Sequence, residues 1–193
     1  MKLKYPLILG SNSPRRQQIL RELGVEFTIR TIDLTEEFPG SIPVDQVAGY
    51  LAKKKAEAFE AIGPDTLLLT ADTVVACDAR ILGKPGNEQE AAIMLETLSG
   101  RSHQVYTGTC LRLNENFHLL TDRTAVSFRK LTREEIDYYV HHYMPLDKAG
   151  AYGIQEWIGM IGIDRINGSY YNVVGLPVAR IYGMFQSLGL IEF

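Results

Sequence analysis

Apolar residues recur along this chain with two different periods, which predict helices and strands in alternation. A spacing of three to four residues predicts helices over residues 14–23 and 43–61, after caps at Asn87 and Thr132, and after Gly175-Leu176-Pro177. Alternating or continuous apolar runs predict strands over residues 7–9, 25–30, 66–71, 73–77, 104–113, 117–122, 124–128, 157–165 and 169–174. Asn167-Gly168 is a strong hairpin signal between the last two strands. The pattern predicts an α/β fold with a mixed, twisted sheet flanked by helices.

The first helix follows a loop of small polar residues. Ser13 suits the N-cap, where its hydroxyl accepts a bond from a backbone N–H group, and Pro14 suits the first helical position. Arg15 and Arg16 then lie in the first turn, where the helix dipole disfavours positive charge. Two interpretations remain open: a solvated basic helix end, or an anion held by backbone N–H groups, hydroxyls and guanidinium groups.

Two charged residues fall at positions that predict an internal location. Lys55 lies within roughly 20° of Val44 on the helical wheel, near the middle of the apolar stripe of the second helix, whereas Lys53 faces the opposite way. A lysine there either extends past the core to water or faces an anion in an internal cleft. Asp72 directly follows the apolar run 66–71. We expect it at a strand end, where open α/β sheets bind their ligands.

Two capping boxes predict where helices begin. In each, the first side chain accepts a bond from the N3 amide, and the N3 side chain accepts one from the amide of the cap. Asn87 with Glu90, and Thr132 with Glu135, have this spacing.

Composition indicates a globular protein and argues against several functions. The chain has 193 residues, 46% hydrophobic and 22% charged, enough for one domain or two small lobes with a buried core. A formal net charge of −3 argues against a protein that mainly binds nucleic acid. Cys77 and Cys110 lie in apolar runs and are expected to be small buried residues. The sequence begins without the apolar run of a signal peptide and has no membrane-spanning stretch, so we expect a cytoplasmic protein.

The candidate chemical groups include cations, acids and an amide. The cations are Arg15, Arg16, Lys55 and Lys84, the acids are Glu36 and Asp72, and the amide is Gln155. Hydrolysis of a nucleotide needs cations that bind polyphosphate, a carboxylate that takes a proton from water and commonly a magnesium ion. Lys84 follows a glycine, but the spacing of a Walker A loop is absent. Glu36 belongs to an acidic segment that is either a solvated turn or a site for a divalent cation.

Several longer motifs are specific when taken together. They are Ser11-x-Ser-Pro-Arg-Arg16, Leu51-Ala-x-x-Lys55-Ala, Ala71-Asp-Thr-Val-Val75, Gly83-Lys-Pro85, Leu98-Ser-Gly-x-x-His103, Val105-x-Thr-Gly108, Asp147-Lys-Ala-Gly-Ala-Tyr-Gly-Ile-Gln155, Ile166-Asn-Gly-Ser-Tyr170 and Asn172-Val-Val-Gly-Leu-Pro177. With them the chain resembles the Maf (septum-formation-inhibitor-like) nucleoside triphosphate pyrophosphatases over essentially its whole length. We therefore expect one Maf-like domain over residues 1–193.

The resemblance implies a Maf/ITPase-like fold with two lobes around a central cleft, present as a homodimer. The implied reaction is hydrolysis of a nucleoside triphosphate between the α and β phosphates, which gives the monophosphate and pyrophosphate. It also implies a divalent cation, Mg²⁺ or Mn²⁺, and a house-cleaning role in the nucleotide pool.

The resemblance implies roles for individual residues by motif position. Asp72 matches the acid that accepts a proton from the attacking water. Asp72 and Glu36 also match positions expected to bind the metal ion. Ser11, Arg16, Lys55 and Lys84 match phosphate-facing positions. Arg15, Thr73 and Gln155 match positions associated with the choice of base.

A glutamine at position 155 is similar to the subfamily that hydrolyses dTTP and UTP. Relatives that prefer 7-methyl-GTP have an acid at that position. An amide can donate to and accept from a pyrimidine edge, whereas a carboxylate suits the donor edge of guanine. Glu156 departs from the family pattern, since many relatives have glycine there, and its carboxylate either shifts the choice of base or points to solvent. Two alternative functions stay open: the same chemistry on 7-methyl-GTP or another modified nucleotide, and a nucleotide-binding regulator of cell division with little turnover.

Overall fold

The computed structural model describes residues 1–60 and 62–192. The strands are β1 (Lys2–Leu3), β2 (Leu7–Leu9), β3 (Thr28–Ile29), β4 (Leu67–Cys77), β5 (Arg80–Leu82), β6 (Ser102–Leu113), β7 (Asn116–Phe128), β8 (Ile163–Asn167) and β9 (Ile191–Glu192). The helices are α1 (Pro14–Glu22), α2 (Val44–Glu57), α3 (Glu88–Leu98), α4 (Arg133–Tyr143), α5 (Trp157–Gly162), α6 (Tyr170–Val174) and α7 (Val178–Ser187).

The strands form a mixed sheet, which confirms the predicted fold class. Its order is β3-β2-β4-β6-β7-β8, and β5 lies beside β4. β2 is parallel to both β3 and β4, whereas the pairs β4–β5 and β7–β8 are antiparallel. β1 and β9 pair separately, also antiparallel.

The chain divides into two compact units. The first comprises Met1–Asp72, Thr107–Asp122 and the segment from Gly175 onward, and the second comprises Thr73–Tyr106 and Arg123–Val174. A core cluster of the first unit contains Ala52, Ala56, Phe59, Leu68 and Cys110, and a cluster of the second contains Leu95, Leu98, Phe128, Ile136 and Tyr139. Within the described ranges, no helix combines the length and the apolar character needed to cross a membrane.

The structure changes the prediction around Asp72. The runs 66–71 and 73–77 form the single strand β4, so Asp72 lies inside a strand and the expectation of a strand end is wrong. The strand continues because Val75–Cys77 pair with β5. β2, however, ends at Leu9, which pairs with Leu69. Asp72 therefore lies beyond the end of its parallel neighbour, although its own strand continues.

The predicted strands after residue 115 are also corrected. Residues 117–122 and 124–128 belong to one strand, β7. The prediction of extended structure is wrong for residues 157–162 and 170–174, which form α5 and α6, whereas residues 163–165 are extended in β8 as expected. Asn167-Gly168 does not form a hairpin, since β8 pairs with β7 instead. A Cβ at Gly168 would lie 2.6 Å from Oγ1 of Thr124, so this glycine permits a close approach to β7.

The local capping signals were the most accurate part of the sequence prediction. Ser13 caps α1, and Thr132 with Glu135 forms the complete capping box of α4. At α3 only half of the predicted box forms: Asn87 accepts from the amide of Glu90, but the Glu90 carboxylate accepts from the amide of Gly86 at 2.8 Å.

Other predicted boundaries were less accurate. The second helix ends at Glu57, before the predicted end at Ala61, and Ala61 itself lies outside the described residues. β3 covers only Thr28–Ile29 of the predicted strand 25–30. Cys77 and Cys110 are buried free thiols, as expected.

We predict that Gly108→Ala destabilises the protein strongly. Gly108 lies on β6 against the backbone of α2, and an added Cβ would approach the carbonyl carbon and oxygen of Ala48 to 2.3 Å. Because backbone atoms cannot move aside as a flexible side chain can, the helix must shift. We expect the free energy of unfolding, measured by urea denaturation, to fall by about 3 kcal/mol.

Gly183→Ala is the matched control. Gly183 lies on α7, and apart from its chain neighbours and its own helix backbone no described atom lies within 4 Å of an added Cβ. Alanine is the better helix former by about 0.8–1 kcal/mol, so this variant should be as stable as the parent or more stable. An equal loss of stability in both variants would contradict the packing argument.

Candidate active site

A cluster of charged side chains in the first unit surrounds the ammonium group of Lys55. Lys55 Nζ donates to Oδ1 of Asp72 and, at 2.8 Å, to Oε1 of Glu36. The Asp72 residue is only 6% exposed, and the Lys55 side chain is 17% exposed. The prediction that Lys55 points inward is confirmed, and its anionic partners are two carboxylates of the protein itself.

Burial and neighbouring charges act in opposite directions on Asp72. Burial raises the pKa of its carboxyl group, the positive charges of Lys55 and Arg16 lower that pKa, and Glu36 raises it again. The net direction is upward, because burial is the largest influence. A carboxylate with a raised pKa binds a proton more readily than an exposed aspartate does. Such a group in a polar site is a candidate general base.

The guanidinium group of Arg16 connects α1 to its neighbours in the first unit. Nη1 donates to the carbonyl of Ala71 at 2.9 Å and to Oγ of Ser11 at 3.3 Å, while Nε donates to the carbonyl of Gly175 at 2.8 Å. Ala71 directly precedes Asp72 on β4. Burial lowers the pKa of Arg16 and the Asp72 carboxylate raises it, so each charge is stabilised by the other.

Ser11 lies in the short loop between β2 and α1. Its hydroxyl also accepts a bond from the amide of Ser13 at 3.2 Å, which fixes the oxygen in place. The loop can pass close to β4 because position 10 is glycine: a Cβ there would lie 2.8 Å from Cγ2 of Thr70. The Gly-Ser loop and Arg16 are therefore positioned by the same strand that carries Asp72.

Glu36 belongs to a segment without helix or strand, and Lys54 holds that segment in place. Lys54 Nζ donates to the carbonyl of Thr35 at 3.1 Å and to the carbonyl of Glu37 at 2.9 Å. These carbonyls flank Glu36 on both sides. Sequence reasoning missed this function of Lys54, because its partners lie far away in the chain and no local motif indicates them.

The other predicted site residues have the following positions. Arg15 is half-buried in the first turn of α1, in the first unit. Thr73, Lys84 and Gln155 belong to the second unit. Thr73 is half-buried on β4, Lys84 is exposed after β5, and Gln155 is exposed in a turn that the Glu156 amide closes by donating to the Gly153 carbonyl at 3.0 Å.

Glu156 does not simply point to solvent, which was one of the two possibilities considered from the sequence. Its Oε2 accepts a bond from the hydroxyl of Tyr139, and its Oε1 lies 3.2 Å from Nζ of Lys148. The side chain is 20% exposed. The carboxylate is thus directed to two groups inside the second unit.

The two predicted metal ligands fit a magnesium ion by their chemistry. Asp72 and Glu36 both bind the same ammonium nitrogen, so two carboxylates converge on one point. Mg²⁺ is commonly held by one or two carboxylates, and substrate phosphates and water complete its shell. Over the described part of the chain, no three His, Cys, Asp or Glu side chains form a group that could hold a metal ion. A cation at Asp72 and Glu36 would therefore complete its shell with oxygens from substrate phosphates and water.

Comparison with known proteins gives consistent results over nearly the whole chain. The sequence model of the family described as Maf-like protein matches residues 6–188. A protein of Bacteroides thetaiotaomicron named dTTP/UTP pyrophosphatase is 47% identical, with 96% of this chain and 97% of the relative covered. A protein of Porphyromonas gingivalis with the same name is 48% identical, with 96% of both chains covered.

A solved structure shows the same fold at low sequence identity. It is a HAM1 protein from Coxiella burnetii, with a TM-score of 0.50 and 16% identity, covering 95% of this chain and 99% of that one.

We predict that Lys54→Met loosens the segment around Glu36. Methionine keeps most of the apolar stem but removes the ammonium group that binds the two carbonyls. Amide hydrogen exchange of residues 33–40 should accelerate by about tenfold, the effect of losing one to two hydrogen bonds. Mass spectrometry of peptic fragments measures this directly.

Lys53→Met is the matched control on the same helix. Lys53 pairs with Glu57 on the surface at 3.2 Å. Its replacement by methionine should therefore leave the amide exchange of residues 33–40 unchanged. Identical exchange in the parent and the Lys54 variant would show that other contacts hold the Glu36 segment.

Proposed function

The chain belongs to the Maf-like protein family, and we propose on that basis that it hydrolyses dTTP and UTP to the nucleoside monophosphate and pyrophosphate. The observation that carries this proposal is the buried carboxylate of Asp72 with Lys55, Glu36 and Arg16 around it. The relatives named dTTP/UTP pyrophosphatase, which match over nearly their full lengths, support the choice of substrate.

Asp72 is the proposed general base. Its raised pKa suits it to take a proton from the attacking water, whose oxygen forms a bond to the α-phosphorus. The bond from that phosphorus to the α–β bridging oxygen breaks, and pyrophosphate leaves. Lys55 holds the carboxylate in place through its ammonium group and, with Glu36, fixes the position of the base before substrate arrives.

The cationic residues bind the triphosphate in this proposal. Ser11, Arg16, Lys55 and Lys84 contact phosphate oxygens, and the positive charges of Arg16, Lys55 and Lys84 stabilise the negative charge that develops on the leaving pyrophosphate. Arg16 also orients the Ser11 hydroxyl through the bond between them. A divalent cation held by Asp72 and Glu36 would neutralise phosphate charge when bound.

Base selection is the proposed role of Arg15, Thr73 and Gln155. Gln155 carries an amide that donates and accepts, which matches the edge of a pyrimidine. Both oxygens of the Glu156 carboxylate already have partners in Tyr139 and Lys148, so in this proposal Gln155 reads the base and Glu156 does not. The homodimer and the cytoplasmic location stay predictions.

A regulator that binds nucleotide with little turnover is the second candidate function. The relatives' names do not favour it, and a sensor would not need a carboxylate with a raised pKa among phosphate-binding cations. Calorimetry with a non-hydrolysable triphosphate beside a turnover assay separates the two, because a regulator would bind tightly without releasing pyrophosphate.

We predict that Asp72→Asn lowers kcat on dTTP by about 10²- to 10⁴-fold, the usual effect of losing a general base. The amide has the shape of the carboxylate but takes no proton at neutral pH. Pyrophosphate release measures the rate, and thermal unfolding checks that the variant is folded. Asp45→Asn, at an exposed position on α2, should retain parental activity.

The pH profile of the parent gives an independent readout of the same base. The carboxylate must be deprotonated to act, so kcat/KM should fall as the pH drops through the pKa of Asp72. Because that pKa is raised, the acid limb should lie above the usual value of 3.8. Full activity of Asp72→Asn, or a profile without an acid limb above that value, would rule out the proposed role.

We predict that a panel of triphosphates with Mg²⁺ identifies dTTP and UTP as the preferred substrates. Gln155→Glu should shift preference toward 7-methyl-GTP, because a carboxylate accepts from the guanine edge and cannot donate to a pyrimidine carbonyl. The kcat/KM ratio of the two substrate classes should change by about 10- to 100-fold, as expected for one or two hydrogen bonds.

Gln89→Glu, at an exposed position on α3, is a control for the same change elsewhere in the second unit and should not alter the ratio. Turnover of 7-methyl-GTP by the parent without pyrophosphate release from dTTP or UTP would contradict the substrate assignment.

A further inference from the structure

The turn that presents Gln155 is held at both of its ends by one buried hydroxyl group. Tyr139 lies on α4 with no exposed surface. Its hydroxyl accepts a bond from the amide of Gly153 at 3.1 Å and donates to Oε2 of Glu156. Gly153 and Glu156 are the first and last residues of the turn, because the Glu156 amide donates to the Gly153 carbonyl. Gln155 is therefore enclosed between two anchored residues.

The other oxygen of the Glu156 carboxylate is bound as well. Oε1 lies 3.2 Å from Nζ of Lys148, a lysine that is only 8% exposed. Lys148 also contacts Oδ1 of Asp147 at 2.7 Å. A buried ammonium group needs such partners, so moving Glu156 away would leave Lys148 poorly compensated. Both Glu156 oxygens are thus fixed by groups on other elements of the second unit.

Gly153 completes the arrangement by leaving room for the two side chains above it. A Cβ at Gly153 would lie 2.7 Å from Cδ of Glu156 and 2.9 Å from Nε2 of Gln155. The Glu156 carboxylate and the Gln155 amide therefore lie side by side over this glycine. Any displacement of Glu156 opens space into which the Gln155 amide can rotate.

We propose that Glu156 is a positioning residue that acts with Tyr139 and Lys148 to set the direction of the Gln155 amide, and through it the choice of base. The inference rests on the proposed function, in which Gln155 reads the base. Glu156 touches no substrate in this arrangement. Both oxygens of the Glu156 carboxylate already have protein partners. We therefore assign contact with the base to Gln155 and support of Gln155 to Glu156.

The hydroxyl of Tyr139 is suited to this task over a wide pH range. Burial raises the pKa of Tyr139, and the hydrogen bond to Glu156 raises it further. The group therefore stays protonated and remains a donor.

The test is a double-mutant cycle read as base discrimination. The variants are Tyr139→Phe, Glu156→Ala and the combination of both, and the measured quantity is the ratio of kcat/KM for dTTP to kcat/KM for dGTP. We expect each single variant to lower the ratio about tenfold, mainly through the KM for dTTP. The double variant should lower it by clearly less than the product of the two single effects, because both changes break the bond between Tyr139 and Glu156.

Two further variants separate positioning from general damage. Glu156→Gln keeps a carbonyl oxygen that can accept from Tyr139, so it should retain most of the discrimination. Tyr143 lies one turn further along α4, and its ring stacks on that of Tyr139. The variant Tyr143→Phe keeps this ring and should leave the ratio unchanged. Loss of folded protein alone would reduce both substrates equally and would not move the ratio.

Two results would overturn the proposal. In one, Glu156→Ala changes the ratio while Tyr139→Phe does not, which would show that the carboxylate contacts the base itself. In the other, neither variant changes the ratio, which would show that Gln155 does not depend on the contacts of Glu156 with Tyr139 and Lys148.

A separate result would contradict the proposed function: the parent protein would release pyrophosphate from neither dTTP nor UTP. The positioning proposal is then read from the ratio of the Kd values for dTTP and dGTP in calorimetry. The same cycle of variants applies, and an unchanged ratio overturns the proposal.

Discussion

The ammonium group of Lys55 lies between two carboxylates, and the arrangement of the first unit depends on that contact. An aspartate buried inside a strand is costly unless a positive charge accompanies it. Lys55 reaches Asp72 because the apolar face of α2, including Ala52 and Ala56, belongs to the same core as Leu68 of β4. Gly108 brings the helix still closer to β6, since no side chain stands between the two backbones. Close packing and charge compensation therefore have the same origin.

Three consecutive lysines on α2 have three different functions because each residue turns the side chain by about 100° around the helix. Lys53 pairs with Glu57 on the surface, Lys54 binds the backbone on either side of Glu36, and Lys55 points to Asp72. The irregular segment that carries Glu36 has no ladder of its own hydrogen bonds. Its position is set by two adjacent side chains of a rigid helix.

The second unit achieves the same kind of positioning with a tyrosine. A turn of four residues has little intrinsic rigidity, and an exposed amide such as that of Gln155 would otherwise rotate freely. The bonds from Tyr139 fix both ends of the turn, and Lys148 fixes the carboxylate beside it. The proposed chemistry thus depends on charge compensation at Asp72, whereas the proposed choice of base depends on how well one turn is held.

The sequence by itself determined the features whose partners lie within three or four residues. The caps at Ser13 and Thr132 and the inward direction of Lys55 follow from local hydrogen bonding and from the helical period, and the motifs indicated the family. Tertiary structure decided what depends on distant partners. β4 continues through Asp72 because β5 pairs with it, and β8 pairs with β7 instead of forming a hairpin with the residues after Gly168. The contacts of Lys54 and Glu156 were equally out of reach, since the energy of such bonds depends on which segments the fold brings together.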